Sequence, residues 1–189
     1  MLKEIIRVQQ ILNDAQVRTR LFQHDGHLNC LSHCCHCCQK TDLLASPLEF
    51  LPLAYHLYKT ARAEQFYDRL RQLPANQYCA LLDFESTNHG QCHEYAYRGL
   101  ICRLFGFAAN LDKNSRRRLI SCRSIKESNG YLHLGTTLDQ APLFGNFYFR
   151  LEAVDFSLAG EQLQINEALR KAIEIVLTYF QFRDHFHRA

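Results

Sequence analysis

The sequence predicts a mainly α protein with minor β structure: a helical domain whose irregular, cysteine-rich central region is stapled by metal. Three observations lead there. Apolar residues recur at helical spacing near both ends of the chain. Ser46-Pro47-Leu48-Glu49 reads as a helix start, with a capping box and proline at the first helical position. Between roughly Asn76 and Leu138 the periodicity is poor, and cysteines supply the order that packing does not. A length of 189 residues suits one domain over 1–189, large enough to bury a core without staples. Within it a helical C-terminal part is expected at about 140–184.

The elements follow in order. Leu2, Ile5, Ile6, Val8, Ile11, Leu12, Ala15 and Leu21 mark a first helix that stops before the turn-like His24-Asp25-Gly26-His27. The second helix begins at the capping box and runs to about Lys59, with Pro52 awkwardly placed inside it. A third spans about Ala61 to Leu73, and Pro74 follows. In the centre, Cys79–Asp83 and Tyr131–Leu134 are candidate short strands. Glu85–Gly90 and Asn110–Ser115 read as polar turns. Helix returns over the aromatic-rich Leu143–Leu158 and again over Ile165–Phe182, which Gln164 or Asn166 begins.

Composition narrows the chemistry. A formal net charge of +3 is too mild to call for nucleic acid or an anionic membrane. The N-terminus is charged and amphipathic, unlike a signal peptide, and no segment reaches the roughly 18–20 apolar residues of a membrane span. A cytoplasmic location is expected, where thiols stay reduced. Nine cysteines, an odd number, then read as metal ligands or redox groups rather than a disulfide framework.

The densest stretch is Cys30-Leu-Ser-His-Cys34-Cys35-His36-Cys37-Cys38. Taken as ligands, Cys30, Cys34, Cys37 and Cys38 follow C-x3-C-x2-C-C, with Cys35 an extra thiol of ambiguous role. Short spacings let thiolates converge on one metal without long loop closure. Zinc takes four such ligands, and an iron–sulfur cluster takes four thiolates as well. Adjacent Cys37 and Cys38 diverge if the backbone is extended, toward two centres or toward one centre and the core; Cys79, Cys92 and Cys102 supply further thiols. Cys122 stands alone in a basic segment and is expected to be an ordinary buried cysteine outside the site.

The ordered blocks resemble the YkgJ-type cysteine-cluster family, a zinc- or iron-chelating group named for a CxxCxxCC motif. Its first block corresponds to Cys30, Cys34, Cys37 and Cys38, its second to Cys79-Ala-Leu-Leu-Asp83, and its last to Gly90-Gln-Cys92 through Tyr95, Arg98 and Cys102-Arg103. The resemblance covers about 28–108, implies that this stretch is the metal-binding region, and implies chelation of zinc or iron, with a 4Fe–4S cluster among the forms. Two departures stand out. The first spacer has three residues instead of two, and Gly99 occupies the place of the family's usual proline, which loosens that turn.

Arg98 and Arg103 flank Cys102 and are candidates to offset thiolate charge, with solvated arginines as the bland alternative. Tyr95 is expected in the core, and His33 and His36 on an exposed loop. Arg116-Arg117-Arg118, with Lys113, Arg123 and Lys126, reads as a solvated basic face, and His185 and His187 as residues near a helix end. There is no nucleophile elbow, P-loop, dinucleotide fingerprint or His-Glu-x-x-His helix, so no catalytic residue is assigned. A metal ion is the expected partner; membrane and nucleic acid are not, and no protein partner is identified. The alternatives to a metal-binding protein are an iron–sulfur-dependent modifying enzyme and a metal-stabilised adaptor with a basic face.

Overall fold

The computed structural model describes residues 1–74, 77–86, 89–127, 131 and 133–186; for 86 and 182–186 only the backbone is described. Helix α1 (Leu2–Asp25) buries Ile5, Val8, Ile11, Leu12, Ala15, Thr19 and Phe22 along one stripe. Helix α2 (Pro47–Lys59) forms the centre of the core. Leu48, Phe50, Leu51, Leu53, Ala54 and Leu57 are all buried, which a helix packed on several sides requires. It packs against α1 and most extensively against α8 (Ile165–Phe186). Pro52 is accommodated inside a continuous helix. Helix α3 (Ala63–Gln72) lies on α8 and starts two residues later than the sequence suggests, because Ala61 turns the chain with φ 54°.

The expected capping box is present and does more than cap. Glu49 Oε1 accepts from Ser46 N at 3.0 Å and from Ser46 Oγ at 3.2 Å. Its Oε2 accepts from Ile101 N at 3.1 Å, at the start of helix α4 (Leu100–Leu104). One carboxylate, 1% exposed, thus serves two helix N-termini. Burial raises its pKa, against the backbone and Ser46 hydrogen bonds that hold it down.

The centre is more regular than its sequence suggests. Strands β2 (Leu82–Ser86) and β3 (His89–Cys92) form an antiparallel hairpin with Leu82 opposite Cys92 and Asp83 opposite Gln91. Most of the expected Glu85–Gly90 turn is therefore strand, apart from residues 87–88, which lie outside the described residues. The candidate strand at Cys79 begins three residues late. Its period-2 signal is lost because the hairpin is solvated and leaves even Phe84 exposed. Strands β4 (Ala108–Leu111) and β5 (Arg117–Ile120) make a second hairpin, so the Asn110–Ser115 turn shrinks to 112–115. Tyr131 is helical, which removes the expected strand there; Leu132 lies outside the described residues. A third pairing joins β1 (Leu44–Ala45) to β6 (Leu163–Gln164), just before α8.

The segment Leu143–Leu158 divides into α6 (Phe144–Glu152) and α7 (Phe156–Gly160), after the short α5 (Arg123–Lys126). Asp155 makes the break: its Oδ1 accepts from Leu158 N at 2.9 Å. The main core gathers α1, α2, α4, α6 and α8. A second, smaller cluster joins Phe22 and Leu28 to Phe107, Ala109, Leu119 and Ile125 of the β4–β5 region. Among the described residues no helix is long and apolar enough to cross a membrane.

Candidate metal centre

The cysteine loop follows α1 and is held by backbone to both neighbouring segments. His33 turns the chain with φ 55°. Its carbonyl accepts from Gly90 N at 3.0 Å, and Cys34 forms a bridge with His89 of β3. Gly90 is needed there, because a Cβ would stand 2.5 Å from the Asp83 carbonyl oxygen. Farther along, the Cys38 carbonyl accepts from Cys79 N at 3.1 Å. A tight turn, with Cys38 N donating to the Cys35 carbonyl at 2.9 Å, replaces the extended backbone expected between Cys37 and Cys38. Their Sγ atoms do not diverge; they stand 4.0 Å apart. Two sulfurs bound to one tetrahedral zinc lie about 3.8 Å apart, given zinc–sulfur bonds of about 2.3 Å.

Cys79 is fixed from the far end of the chain. Asn166, in the first turn of α8, accepts from Ala80 N at 2.8 Å and donates through Nδ2 to the Tyr78 carbonyl at 2.9 Å. It does not cap its helix; it clamps the peptides on either side of Cys79. Cys92 ends β3, and Cys102 lies in the short α4 whose start Glu49 holds.

These segments surround one cavity of about 510 Å³. Cys30, Cys34, Cys37, Cys38, Cys79, Cys92 and Cys102 all line it, and so do Cys35 and Cys122. Cys122 is thus not remote: the β4–β5 hairpin carries it back to the cysteine loop. No disulfide joins any of the nine. Cys35 is buried and accepts from Gln39 Nε2 at 3.3 Å. Among the described residues, no group of three His, Cys, Asp or Glu side chains is gathered closely enough to grip an ion as it stands. The thiols ring the space.

The charge balance of that ring is informative. Burial, then the neighbouring Cys34, Cys37 and Cys122, pushes Cys30 up to about 12. Burial and Cys92 and Cys37, partly offset by a backbone hydrogen bond, push Cys79 up to about 12. Burial, Cys79 and Glu49 also raise Cys102 well above the usual thiol value, and Cys92 and Cys35 are raised chiefly by burial. The hydrogen bond between Cys37 and Cys38 lowers the pKa of Cys37 and raises that of Cys38. Several buried thiols that oppose one another's ionisation call for a cation, and sulfur donors select a soft one, zinc or iron, over magnesium or calcium.

Arg98 is the cation already at hand, and its charge lowers Cys37, Cys92 and Cys102. Its guanidinium carbon lies 3.6 Å from the centre of the Tyr95 ring, and one terminal nitrogen donates to Gln16 Oε1 at 3.2 Å. Its Nε is buried without a hydrogen-bond partner beside the cavity. Arg103, 5% exposed, is neither solvated nor aimed at sulfur. It donates to the carbonyls of Ala96 (2.6 Å) and Arg98 (2.8 Å) and to Gln16 Oε1 (3.3 Å). Tyr95 is not core; at 56% exposure it is the outer face on which Arg98 rests. Glu49, Gln16 and Asn166 escaped sequence reasoning as supports of the site. Only Glu49 carried a signal, as a capping box.

The remaining candidates lie apart. His33 and His36 are exposed at the cavity rim, with His33 Nδ1 3.2 Å from Glu85. The basic run is partly neutralised: Arg118 pairs with Asp112 and Arg123 with Glu127. The side chains of His185 and His187 lie outside the described residues. The family model CxxCxxCC, described as "Putative zinc- or iron-chelating domain", matches residues 29–124, just over half of the chain. The match runs on past Cys122, beyond the stretch that the resemblance covers. No curated protein and no solved structure matches.

Proposed function

The chain belongs to the CxxCxxCC family, whose description is zinc or iron chelation, and from that premise we propose that it is a metal-binding protein whose ligands come from Cys30, Cys34, Cys37, Cys38, Cys79, Cys92 and Cys102. The observation that carries the reading is their presence around one cavity, although they derive from separate stretches of sequence. Zinc in this setting ties the cysteine loop, the β2–β3 hairpin and α4 together. An iron–sulfur cluster makes the same ties and adds electron transfer or sensing. In either form Arg98 offsets thiolate charge, and its unpartnered Nε is a donor left free for a thiolate. The reading includes no substrate and no catalytic residue, and its expected setting is the cytoplasm.

Elemental analysis of protein purified without air tests the reading. Brown protein containing iron and acid-labile sulfide assigns a cluster such as 4Fe–4S, and colourless protein with stoichiometric zinc assigns a zinc centre. Protein that retains neither metal and takes up neither on refilling overturns the proposal. Cys34→Ser and Cys102→Ser are each expected to lose metal; full retention by both would refute this ligand set.

A further inference from the structure

Nine thiols around one cavity are more than one tetrahedral ion can use, and they do not form one group. Cys79, Cys38, Cys92 and Cys102 all pack against the main core. Cys122 packs against the smaller cluster, whose members Leu28 and Ile125 lie just before Cys30 and just after Cys122. That cluster brings the start of the cysteine loop and the end of the second hairpin to the same side of the cavity. Cys30 interacts with Cys34, Cys37 and Cys122, and Cys38 with Cys37, Cys102 and Cys79, while Cys37 is also felt by Cys79, Cys92 and Cys102. Cys37 lies between the two sets, 4.0 Å from Cys38.

We propose that the cavity takes two metal centres, with Cys122 as a ligand of the second. The inner centre uses Cys38, Cys79, Cys92 and Cys102. The outer uses Cys30, Cys34, Cys37 and Cys122. Each set supplies the four thiolates that a closed zinc site or an iron–sulfur cluster requires. Cys37 and Cys38, 4.0 Å apart, are as close as two ligands of one ion, so the two centres adjoin at this pair, and Cys37 is counted to the outer set because the inner one already has four thiolates. Cys35, buried and occupied by Gln39, is left out of both. This inference rests on the proposed metal-binding function and extends it from one centre to two.

The test is a titration of metal-free full-length protein with Co²⁺ under anaerobic conditions. It follows thiolate-to-cobalt absorption and is checked by elemental analysis. Saturation at two equivalents per chain is expected. Cys122→Ser and Cys102→Ser should each fall to about one equivalent, the double variant should approach none, and Cys35→Ser should keep both. Saturation of the wild type at one equivalent, or full retention of metal by Cys122→Ser, overturns the two-centre proposal and leaves the metal-binding reading intact. No uptake at all overturns both. Because the wild-type stoichiometry decides by itself, a variant that misfolds does not remove the test.

Discussion

The amide of Asn166 spans Cys79: it accepts from Ala80 N at 2.8 Å and donates to the Tyr78 carbonyl at 2.9 Å. Asn166 lies on α8, outside the stretch matched by the family model, so the C-terminal helix is a support of the site as well as a wall of the core. Asn166→Ala leaves both peptides without these partners. It is expected to cost about 1–3 kcal/mol of stability in urea unfolding and to weaken metal binding roughly 10-fold. A variant with wild-type metal retention would show that Cys79 needs no such clamp.

Gly99 explains itself against Phe50. Its φ of −62° is one that proline adopts readily, so the backbone at this family departure suits proline. The space does not: a Cβ at Gly99 would stand 2.8 Å from Phe50 Cζ and 3.1 Å from Glu49 Oε2. Gly99→Ala is expected to destabilise by about 1–3 kcal/mol through overpacking. Gly99→Pro should behave similarly alone and recover when combined with Phe50→Leu, as thermal unfolding will register. Absence of recovery would place the strain elsewhere than at Phe50.

The three main helices and the capping box were legible because each rests on a local signal: apolar spacing in α1 and α8, Ser46 and Glu49 at the start of α2. The hairpins were not, since a solvated two-stranded ribbon has no buried face to impose alternation, and Glu85 reads as turn whether or not it pairs. Seven of the nine thiols that line the cavity were visible as a family pattern. That Cys122 also lines the cavity was not legible, because its position depends on where the β4–β5 hairpin folds back. Tyr95 was misplaced because an aromatic that supports an arginine on the surface has the same local sequence as one in a core.

Asp14 gives an acid-side test free of the thiols. Burial opposes its ionisation, but hydrogen bonds from Arg150 and Arg18 outweigh that and lower its pKa below 3.8. A lowered carboxylate contributes stability above its unfolded pKa and loses it as pH falls through the folded value. The pair joins α1 to α6 and is partly exposed, so solvent screening limits it to roughly 0.5 kcal/mol. In metal-free protein, the stability difference between wild type and Asp14→Asn should be constant from neutral pH to about 4 and then shrink. A difference unchanged down to pH 2 would mean that the ion pair contributes nothing.

Arg98 and Arg103 separate charge compensation from architecture. Both reach Gln16 of α1, yet only Arg98 has a buried Nε without a partner beside the thiols. Arg103 spends its donors on the turn that carries Arg98. Burial first, then Arg98, lowers its pKa to about 10, which leaves it protonated at neutral pH. Arg103→Met should therefore destabilise by about 2–4 kcal/mol, because the Ala96 and Arg98 carbonyls lose their buried donor, while the folded fraction keeps its metal. Arg98→Gln should unfold within about 1 kcal/mol of wild type yet surrender metal to a competing chelator roughly 10-fold more readily. Arg98→Lys, which keeps the charge but not the planar donor, should fall between. If Arg98→Gln holds metal as tightly as wild type, the unpartnered nitrogen has no role toward sulfur, and the thiolate charge must be balanced by the metal alone.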